Sequence, residues 1–277
     1  MANWFITGVS GGLGEALAQA LLARGDHVFG TVRGLSDADA FEALSPGLAK
    51  AYLLDVRDAP TLTQAITSAE QAGGGLDVLV NNAGYGLVGA VEESSLDEVR
   101  NLFEVNTFAP LTAIQAVLPF MRARRRGHIV NISSVSGLAT WAGTGLYCAS
   151  KFALEAIGET LAAEVEEFGI KVINIAPGGM RTDYAGRSMV ATRTVIPDYE
   201  NRLAHAAAKV MAEHAGHEPG EPAHIAQVIL GVVASPNPPL HLLMGADAMK
   251  YATTRQDSLR AEFDAWSSVT LSTGTPG

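Results

Sequence analysis

Short apolar runs alternate with longer amphipathic segments along most of the chain. Several short runs, such as "DVLVNN" and "KVINIA", are apolar at consecutive positions, which is typical of parallel strands covered on both faces. The longer segments repeat their apolar residues with helical spacing. Strands are predicted at Asn3–Thr7, His27–Val32, Ala51–Val56, Asp77–Asn81, His128–Ile132, Lys171–Ala176 and His241–Met244.

Helices are predicted between these strands. Leu13–Ala23, Ala59–Ala72 and Leu96–Phe120 have the clearest helical pattern, and a capping box at Ser95 and Glu98 opens the last of them. Because each strand is followed by a helical crossover, the pattern predicts an α/β fold. We expect a doubly wound, seven-stranded parallel sheet flanked by helices on both faces.

Composition indicates a globular chain. Of the 277 residues, 48% are hydrophobic and 17% are charged. No Ser-, Gly- or Pro-rich linker and no internal repeat divides the sequence, so a single domain over residues 1–277 is expected. The irregular stretch at about 180–220 is interpreted as an insertion, and the tail after Trp266 is expected to fray.

Charge and hydropathy exclude several classes of partner. The formal net charge is −10, which disfavours nucleic acid. No uncharged apolar run reaches membrane-spanning length, and no basic region precedes a long apolar stretch near the start, so no membrane partner and a cytoplasmic location are expected. Cys148 is the only cysteine and is interpreted as a packing residue, because no base is marked beside it.

The first predicted strand runs directly into "TGVSGGLGEAL". Gly8, Gly12 and Gly14 let the backbone turn tightly at the start of a helix, whose N-terminus attracts a pyrophosphate. A plain turn is the alternative. The strand before the loop and the amphipathic helix after it favour a Rossmann-type dinucleotide site.

The second strand ends in "GTVRG". Folds of this type that prefer NAD place an acid at this strand end, where it binds the ribose 2′-hydroxyl. Here the position is Val32, and Arg33 follows. The missing carboxylate and the added guanidinium favour NADP(H) over NAD(H), although Arg33 could also be an ordinary surface residue.

The third and fourth strands end in "LLDVRD" and "VNNAGYG". Asp55 is placed to contact an adenine edge, and Ala83 and Gly84 leave room for a flat ligand. Ligands of open α/β sheets bind at the carboxyl ends of the strands, where the strand order reverses. We therefore expect these residues to border one crevice.

A polar pair lies on a helix that is otherwise rich in small and apolar residues. Tyr147 and Lys151 are four positions apart in "GLYCASKFALEAIGETL", so they share one helix face. Ser134, in "NISSVSG", precedes them after the fifth strand. Taken alone, the pair would be equally consistent with a core tyrosine and a snorkelling lysine.

Six motifs now stand in one order, and together they resemble the short-chain dehydrogenase/reductase family. The "NNAGYGLVGAVEE" and "GTVR" stretches are similar to its bacterial members that resemble 17-beta-hydroxysteroid and retinol dehydrogenases. The motifs are TGxxxGxG (Thr7–Gly14), NNAG (Asn81–Gly84), Asn106 in "FEVN", Ser134, YxxxK (Tyr147–Lys151) and the turn Pro177–Gly178.

The resemblance implies a role for each catalytic residue. Tyr147 would be the general acid/base, with its phenolate favoured by the charge of Lys151. Ser134 would hold the substrate oxygen, and Asn106 would hold a water that links Lys151 to solvent. The implied cofactor contacts are Gly8, Ser10, Gly12, Leu13, Gly14, Arg33, Asp55, Val56, Asn82, Ala83, Gly84, Tyr147, Lys151, Pro177, Gly178, Met180 and Thr182.

These roles predict an NADP(H)-dependent oxidoreductase that interconverts an alcohol and a ketone or aldehyde. The alternatives are a non-catalytic NADP(H)-binding sensor or scaffold and, less favoured, an epimerase or dehydratase. The resemblance also implies a substrate lid at about 180–220 and a homodimer or homotetramer. An apolar substrate is suggested by Leu87, Val88, Leu138, Trp141 and Leu146, and His205, His214 and His217 lack metal-ligand spacing, so no metal is expected.

Overall fold

The structure is a computed structural model that describes residues 1–181, 189–199, 205 and 217–274. Seven strands form one parallel sheet in the order β3-β2-β1-β4-β6-β7-β9, and β5 pairs with β8 in a separate parallel ribbon. The strands are β1 (Asn3–Ile6), β2 (His27–Val32), β3 (Ala49–Leu53), β4 (Val78–Asn81), β5 (Gly86–Val88), β6 (Gly127–Ile132), β7 (Ile170–Pro177), β8 (Met189–Ala191) and β9 (His241–Met244).

Helices cover both faces of the sheet. One core cluster packs α1, α2 and α7 against the strands, and a second packs α3, α5 and α6 against the other face. The predicted fold class is confirmed. The helices are α1 (Gly12–Ala23), α2 (Leu35–Ala43), α3 (Ala59–Gly73), α4 (Leu96–Phe103), α5 (Ala109–Arg124), α6 (Gly145–Val165), α7 (Pro222–Val233), α8 (Ala246–Ala265) and α9 (Ser267–Leu271).

The strand order reverses between β1 and β4. From β1 the chain moves outward to β2 and β3, and it then returns to the other side of β1 for β4, β6 and β7. This reversal leaves a crevice at the carboxyl ends of β1 and β4, because the following connections diverge. The glycine-rich loop follows β1 directly, and the NNAG motif begins at Asn81, the last residue of β4.

Most predicted elements match the observed bounds to within one residue at each end, and two differ by more. The third strand was predicted at Ala51–Val56 and is observed at Ala49–Leu53, where it is an edge strand with Lys50 pointing to solvent. The helix predicted over Leu96–Phe120 is interrupted by a π-helical turn at Glu104–Phe108. The capping box at Ser95 and Glu98 is confirmed, with the two side-chain bonds to backbone N–H groups at 2.9 and 3.3 Å.

In the described part of the chain, no helix is long and apolar enough to cross a membrane.

Candidate active site

The connection from β1 to α1 is built around glycines. Gly8 has φ +75°, a backbone angle that glycine adopts without strain. A Cβ added to Gly14 would lie 2.0 Å from the Gly8 carbonyl oxygen, so no other residue fits there without a shift of the backbone. No side chain caps the N-terminus of α1 at Gly11. The free N–H groups of this turn can therefore receive an anion.

Asn82 joins the glycine loop to the end of β4. Its Nδ2 donates to the carbonyl oxygens of Thr7 at 2.9 Å and Gly8 at 2.8 Å. The backbone N–H of Ala83 donates to Thr7 Oγ1 at 3.0 Å. These bonds fix both sides of the crevice relative to each other. Asn82 and Ala83 therefore lie beside the glycine loop, as expected for residues bordering one crevice.

Gly84 lies where the crevice meets the polar pair of α6. A Cβ at this position would lie 3.2 Å from Asn106 Oδ1 and 3.4 Å from Lys151 Nζ. Because Gly84 has no side chain, the backbone surface beside Asn106 and Lys151 stays open; we call this surface the open floor at Gly84. A planar ring can approach this floor, which a larger residue would obstruct.

Asn106 lies within the π-helical turn and is fully buried. Its Oδ1 accepts from the N–H of Tyr85 at 3.0 Å, and its Nδ2 donates to Tyr85 O at 2.9 Å and Ser150 Oγ at 3.1 Å. The side chain therefore ties the helix to the loop after β4. Local π-helical turns are frequent at functional sites.

Tyr147 and Lys151 lie on the same face of α6, as predicted. Their relative exposures are 9% and 5%, and Lys151 Nζ lies 6.0 Å from the centroid of the Tyr147 ring. Lys151 Nζ donates to the carbonyl oxygen of Ile132 at 2.9 Å. Burial lowers the pKa of Lys151 to about 8, and the charge of Glu155 acts in the opposite direction. A buried ammonium with a depressed pKa beside a phenol is typical of acid/base sites.

Ser134 follows β6 two residues after Ile132. Its Oγ accepts from the N–H of Ser136 at 3.1 Å and opens the 3₁₀ turn Val135–Gly137. This bond uses a lone pair of the hydroxyl, so its hydrogen can still be donated to another group. Since Lys151 bonds to Ile132 on the same strand end, Ser134 and Lys151 are tied to one short segment.

The loop after β7 is held by the C-terminal part of the chain. Gly178 N–H donates to Met244 O at 2.9 Å, and Gly179 N–H donates to Asp247 Oδ2 at 2.8 Å. Met180 forms an isolated bridge with Gly220. Asp247 was not predicted from the sequence, and its only local signal is an acid in the first turn of α8. Thr182 lies outside the described residues.

The residues expected at the adenosine end lie on the other side of β1 from Tyr147. Arg33 is exposed after β2, and Asp55 follows β3 with its carboxylate bonded to Arg57 at 2.6 Å. Val56 packs partly into the core, and the side chain of Leu13 is buried in it. Leu13 can therefore offer only its backbone to a ligand. Ser10 is exposed on the glycine loop.

Apolar residues gather around Tyr147. Leu87 and Leu102 are buried against its ring, and Tyr85 and Leu146 pack on the same cluster. Val88 is also buried, next to Leu87 on β5. Trp141 lies edge-on to Tyr251 of α8, with ring centroids 5.3 Å apart. The predicted hydrophobic residues thus include a cluster at the acid/base pair and a second contact at α8. Leu138 is partly exposed.

His205 has a defined partner that the sequence did not suggest. Its Nε2 lies 3.0 Å from each carboxylate oxygen of Glu93. Glu93 is buried and also accepts from the N–H groups of Ala90 and Ile196, both at 2.8 Å. Backbone bonds from Ile196 and Ala90, and then His205, lower the pKa of Glu93. This carboxylate therefore anchors residues 189–199 to the segment after β5.

The remaining polar side chains of interest are His214, His217 and possible metal ligands in general. The described residues contain no group of three or more His, Cys, Asp or Glu side chains that could hold a metal ion. His217 is exposed, and His214 lies outside the described residues.

Comparisons with known proteins identify the family. A family model described as short chain dehydrogenase matches residues 3–191. Retinol dehydrogenase 8 of Homo sapiens is 37% identical over 251 residues, covering 85% of this chain and 78% of the relative. The NADPH-dependent 3-dehydrocapnine reductase of Ornithobacterium rhinotracheale is 36% identical over 189 residues, covering 66% of this chain and 67% of the relative.

A solved structure resembles the whole chain. The crystal structure of a short-chain dehydrogenase from Streptomyces avermitilis has a TM-score of 0.92 and 38% sequence identity, and the match covers 99% of this chain and 100% of that one. The resemblance inferred from the motifs is therefore confirmed. The chain belongs to the short-chain dehydrogenase family, and it is an oxidoreductase that acts on CH–OH groups.

Proposed function

We propose that the protein is an NADP(H)-dependent enzyme that interconverts an alcohol and a ketone or aldehyde by hydride transfer. The observation that carries this proposal is the buried ammonium of Lys151, 6.0 Å from the Tyr147 ring and beside the open floor at Gly84. A cation at this distance from a phenol favours its ionised form, as a proton-transferring group near neutral pH requires.

The crevice fits a dinucleotide. The uncapped start of α1 can receive the pyrophosphate. Position 14 must be glycine, because a Cβ there would collide with Gly8 O and with the side chain of Asn82. Gly8, Gly12 and Ser10 would line this part, and Pro177, Gly178 and Met180 the far end. When bound, the nicotinamide supplies or accepts the hydride.

The residues of this chain would handle the proton and the oxygen. In the reductive direction, Tyr147 would donate its proton to the substrate oxygen, while the Ser134 hydroxyl would donate a hydrogen bond to that oxygen. Lys151 would lower the pKa of the phenol and contact the nicotinamide ribose. Asn106, through the water that it would hold, would connect Lys151 to solvent.

The proposed substrate is apolar near its reacting group. Leu87, Leu102 and Leu146 belong to the same apolar cluster as Tyr147, and the related retinol dehydrogenase is named for an apolar alcohol. A sensor or scaffold without turnover is not favoured, because Ser134, Tyr147 and Lys151 are all present.

We also propose that residues 1–277 act as one domain with a substrate lid at about 180–220. A homodimer or homotetramer would use α5 and α6, which border an apolar groove lined by Leu111, Leu118 and Ile157. Sedimentation equilibrium would test the assembly: a monomer at all concentrations would contradict it.

The first test of function is the loss of NADPH absorbance with a panel of ketones and aldehydes, ranging from small to steroid-sized. We expect turnover that rises with the apolar surface of the carbonyl compound. If NADPH binds and no compound in a broad panel is reduced, the sensor alternative replaces the catalytic one.

The substitution Arg33→Ala tests the cofactor preference. We expect the dissociation constant of NADPH to rise about 10- to 100-fold and that of NADH to change little, because a charge-assisted bond is worth ~1.5–3 kcal/mol. Fluorescence titration of both nucleotides measures this. Arg260→Ala, which removes an exposed arginine of α8, should change neither constant. Equal losses for NADPH and NADH would contradict the role of Arg33.

A further inference from the structure

Arg57, which no sequence motif singled out, binds the carboxylate of Asp55 with a forked contact. Its Nε lies 3.0 Å from Oδ1 and 3.1 Å from Oδ2, and its Nη2 lies 2.6 Å from Oδ2. The backbone N–H of Arg57 also donates to Oδ1 at 3.0 Å. Both oxygens of Asp55 are therefore engaged by one cation, in the geometry that makes arginine–carboxylate pairs specific.

Arg57 is also held from a second element. Its Nη1 donates to Asn101 Oδ1 at 3.2 Å, and Asn101 Nδ2 donates to the carbonyl oxygen of Asp97 at 2.8 Å. The guanidinium thus bridges the end of β3 and α4. Such a two-sided attachment keeps its charge beside Asp55, where an unattached surface arginine would sample many rotamers.

Arg33 shares the electrostatic surroundings of this pair. The pKa of Asp55 is lowered first by the hydrogen bonds from Arg57, and the charge of Arg33 lowers it further. Asp58 is a second acid in this region: hydrogen bonds from Thr61 at 3.1 and 2.7 Å lower its pKa, and the charge of Asp55 acts in the opposite direction. The carboxylate of Asp55 is therefore bound by the guanidinium of Arg57 and lies within reach of the charge of a second guanidinium, that of Arg33.

We propose that Arg57 is a specificity-determining residue that favours the dinucleotide carrying a 2′-phosphate, by neutralising Asp55. This inference rests on the proposed use of NADP(H). Because the charge of Arg33 acts on Asp55, a 2′-phosphate bound by Arg33 would also lie within reach of that carboxylate, which repels it when unpaired. Arg57 cancels that repulsion. A ribose with a free 2′-hydroxyl carries no charge at this position, so its binding does not depend on whether Arg57 neutralises Asp55.

The test compares two probes that differ only in the phosphate, 2′,5′-ADP and 5′-AMP, by isothermal titration calorimetry at low ionic strength. For Arg57→Gln, we expect the preference for 2′,5′-ADP over 5′-AMP to fall about tenfold, as for one uncompensated charge near the phosphate. Arg100→Gln removes an exposed arginine of α4, paired with Asp97 at 2.9 Å, and should leave the preference unchanged.

The double variant Asp55→Asn/Arg57→Gln separates the mechanism from its alternatives. Because the repelling carboxylate is gone, we expect the preference to return to within about twofold of that of Asp55→Asn alone. A tenfold fall in that background too would mean that Arg57 binds the phosphate directly, which overturns the proposal. An equal loss for both probes in Arg57→Gln would also overturn it, as a structural effect.

Failure of the proposed NADP(H) use gives a different result. In that case the unsubstituted protein would bind 5′-AMP at least as tightly as 2′,5′-ADP. The ratio of the two affinities in Arg57→Gln would still decide the electrostatic role, since a fall in the ratio supports it and an unchanged ratio overturns it.

Discussion

Replacing Tyr147 with phenylalanine should lower kcat for carbonyl reduction by about 10²- to 10⁴-fold, the usual contribution of a positioned acid/base group. The ring would remain packed against Leu87 and Leu102, so only the hydroxyl is lost. We expect the dissociation constant of NADPH to stay within about twofold, because Lys151 and the glycine loop are untouched. Stopped-flow single-turnover assays and fluorescence titration measure the two quantities.

Tyr52→Phe is the matched control. Tyr52 lies on β3, where burial raises its pKa, and its ring lies tilted to those of Phe5 and Phe29, with centroids 6.0 and 6.5 Å away. Removing its hydroxyl should leave kcat unchanged. A Tyr147→Phe variant that keeps more than about one tenth of the original kcat would show that another group transfers the proton.

Much of the sheet was predictable from the sequence because its inner strands are buried on both faces. The inner strand β2 (His27–Val32) was predicted with the observed bounds, and so was the edge strand β9 (His241–Met244). The edge strand β3 was displaced because Lys50 faces solvent and breaks the apolar run. The ribbon of β5 and β8 was missed because each strand has only 3 residues.

The π-helical turn at Asn106 could not be read from periodicity. The apolar spacing of "EVNTF" continues the pattern of α4 into α5 without a break. The interruption instead accompanies tertiary bonds from the Asn106 side chain to Tyr85 and Ser150, which lie 21 and 44 positions away. Sequence resemblance marked the residue as functional, but only the structure shows how its side chain is held.

Asp247 and Glu93, which hold loops around the site, were not predicted, because their partners are also far away in the sequence. Asp247 bonds to Gly179 across 68 positions, and Glu93 bonds to Ile196 across 103. Neither acid belongs to a local pattern that separates it from ordinary surface carboxylates. The motifs therefore located the candidate catalytic residues, while the groups that hold the surrounding loops required three-dimensional contacts.

The buried charge of Lys151 should lower the free energy of unfolding. Its pKa falls from 10.5 to about 8 on folding, so the unfolded state holds the proton more strongly. The difference corresponds to roughly 3 kcal/mol of destabilisation. This penalty is fully present below the folded pKa of about 8 and disappears as the pH rises towards the unfolded value of 10.5. Such a cost is common where function requires a buried charge.

Replacing Lys151 with methionine should therefore stabilise the protein at about pH 7 while abolishing turnover. The lost bond to Ile132 O offsets about 1–2 kcal/mol, which leaves a net gain of ~1–2 kcal/mol in the free energy of unfolding. Urea unfolding should show this gain at about pH 7 and almost none at about pH 9.5, where most of the penalty of the unsubstituted protein is gone.

Lys50→Met is the control, since Lys50 is exposed and pairs with Glu42 at 2.8 Å; its effect should be small at both pH values. A Lys151→Met variant that is less stable at neutral pH would show that the ammonium is stabilised by its surroundings, and the depressed pKa would then be wrong.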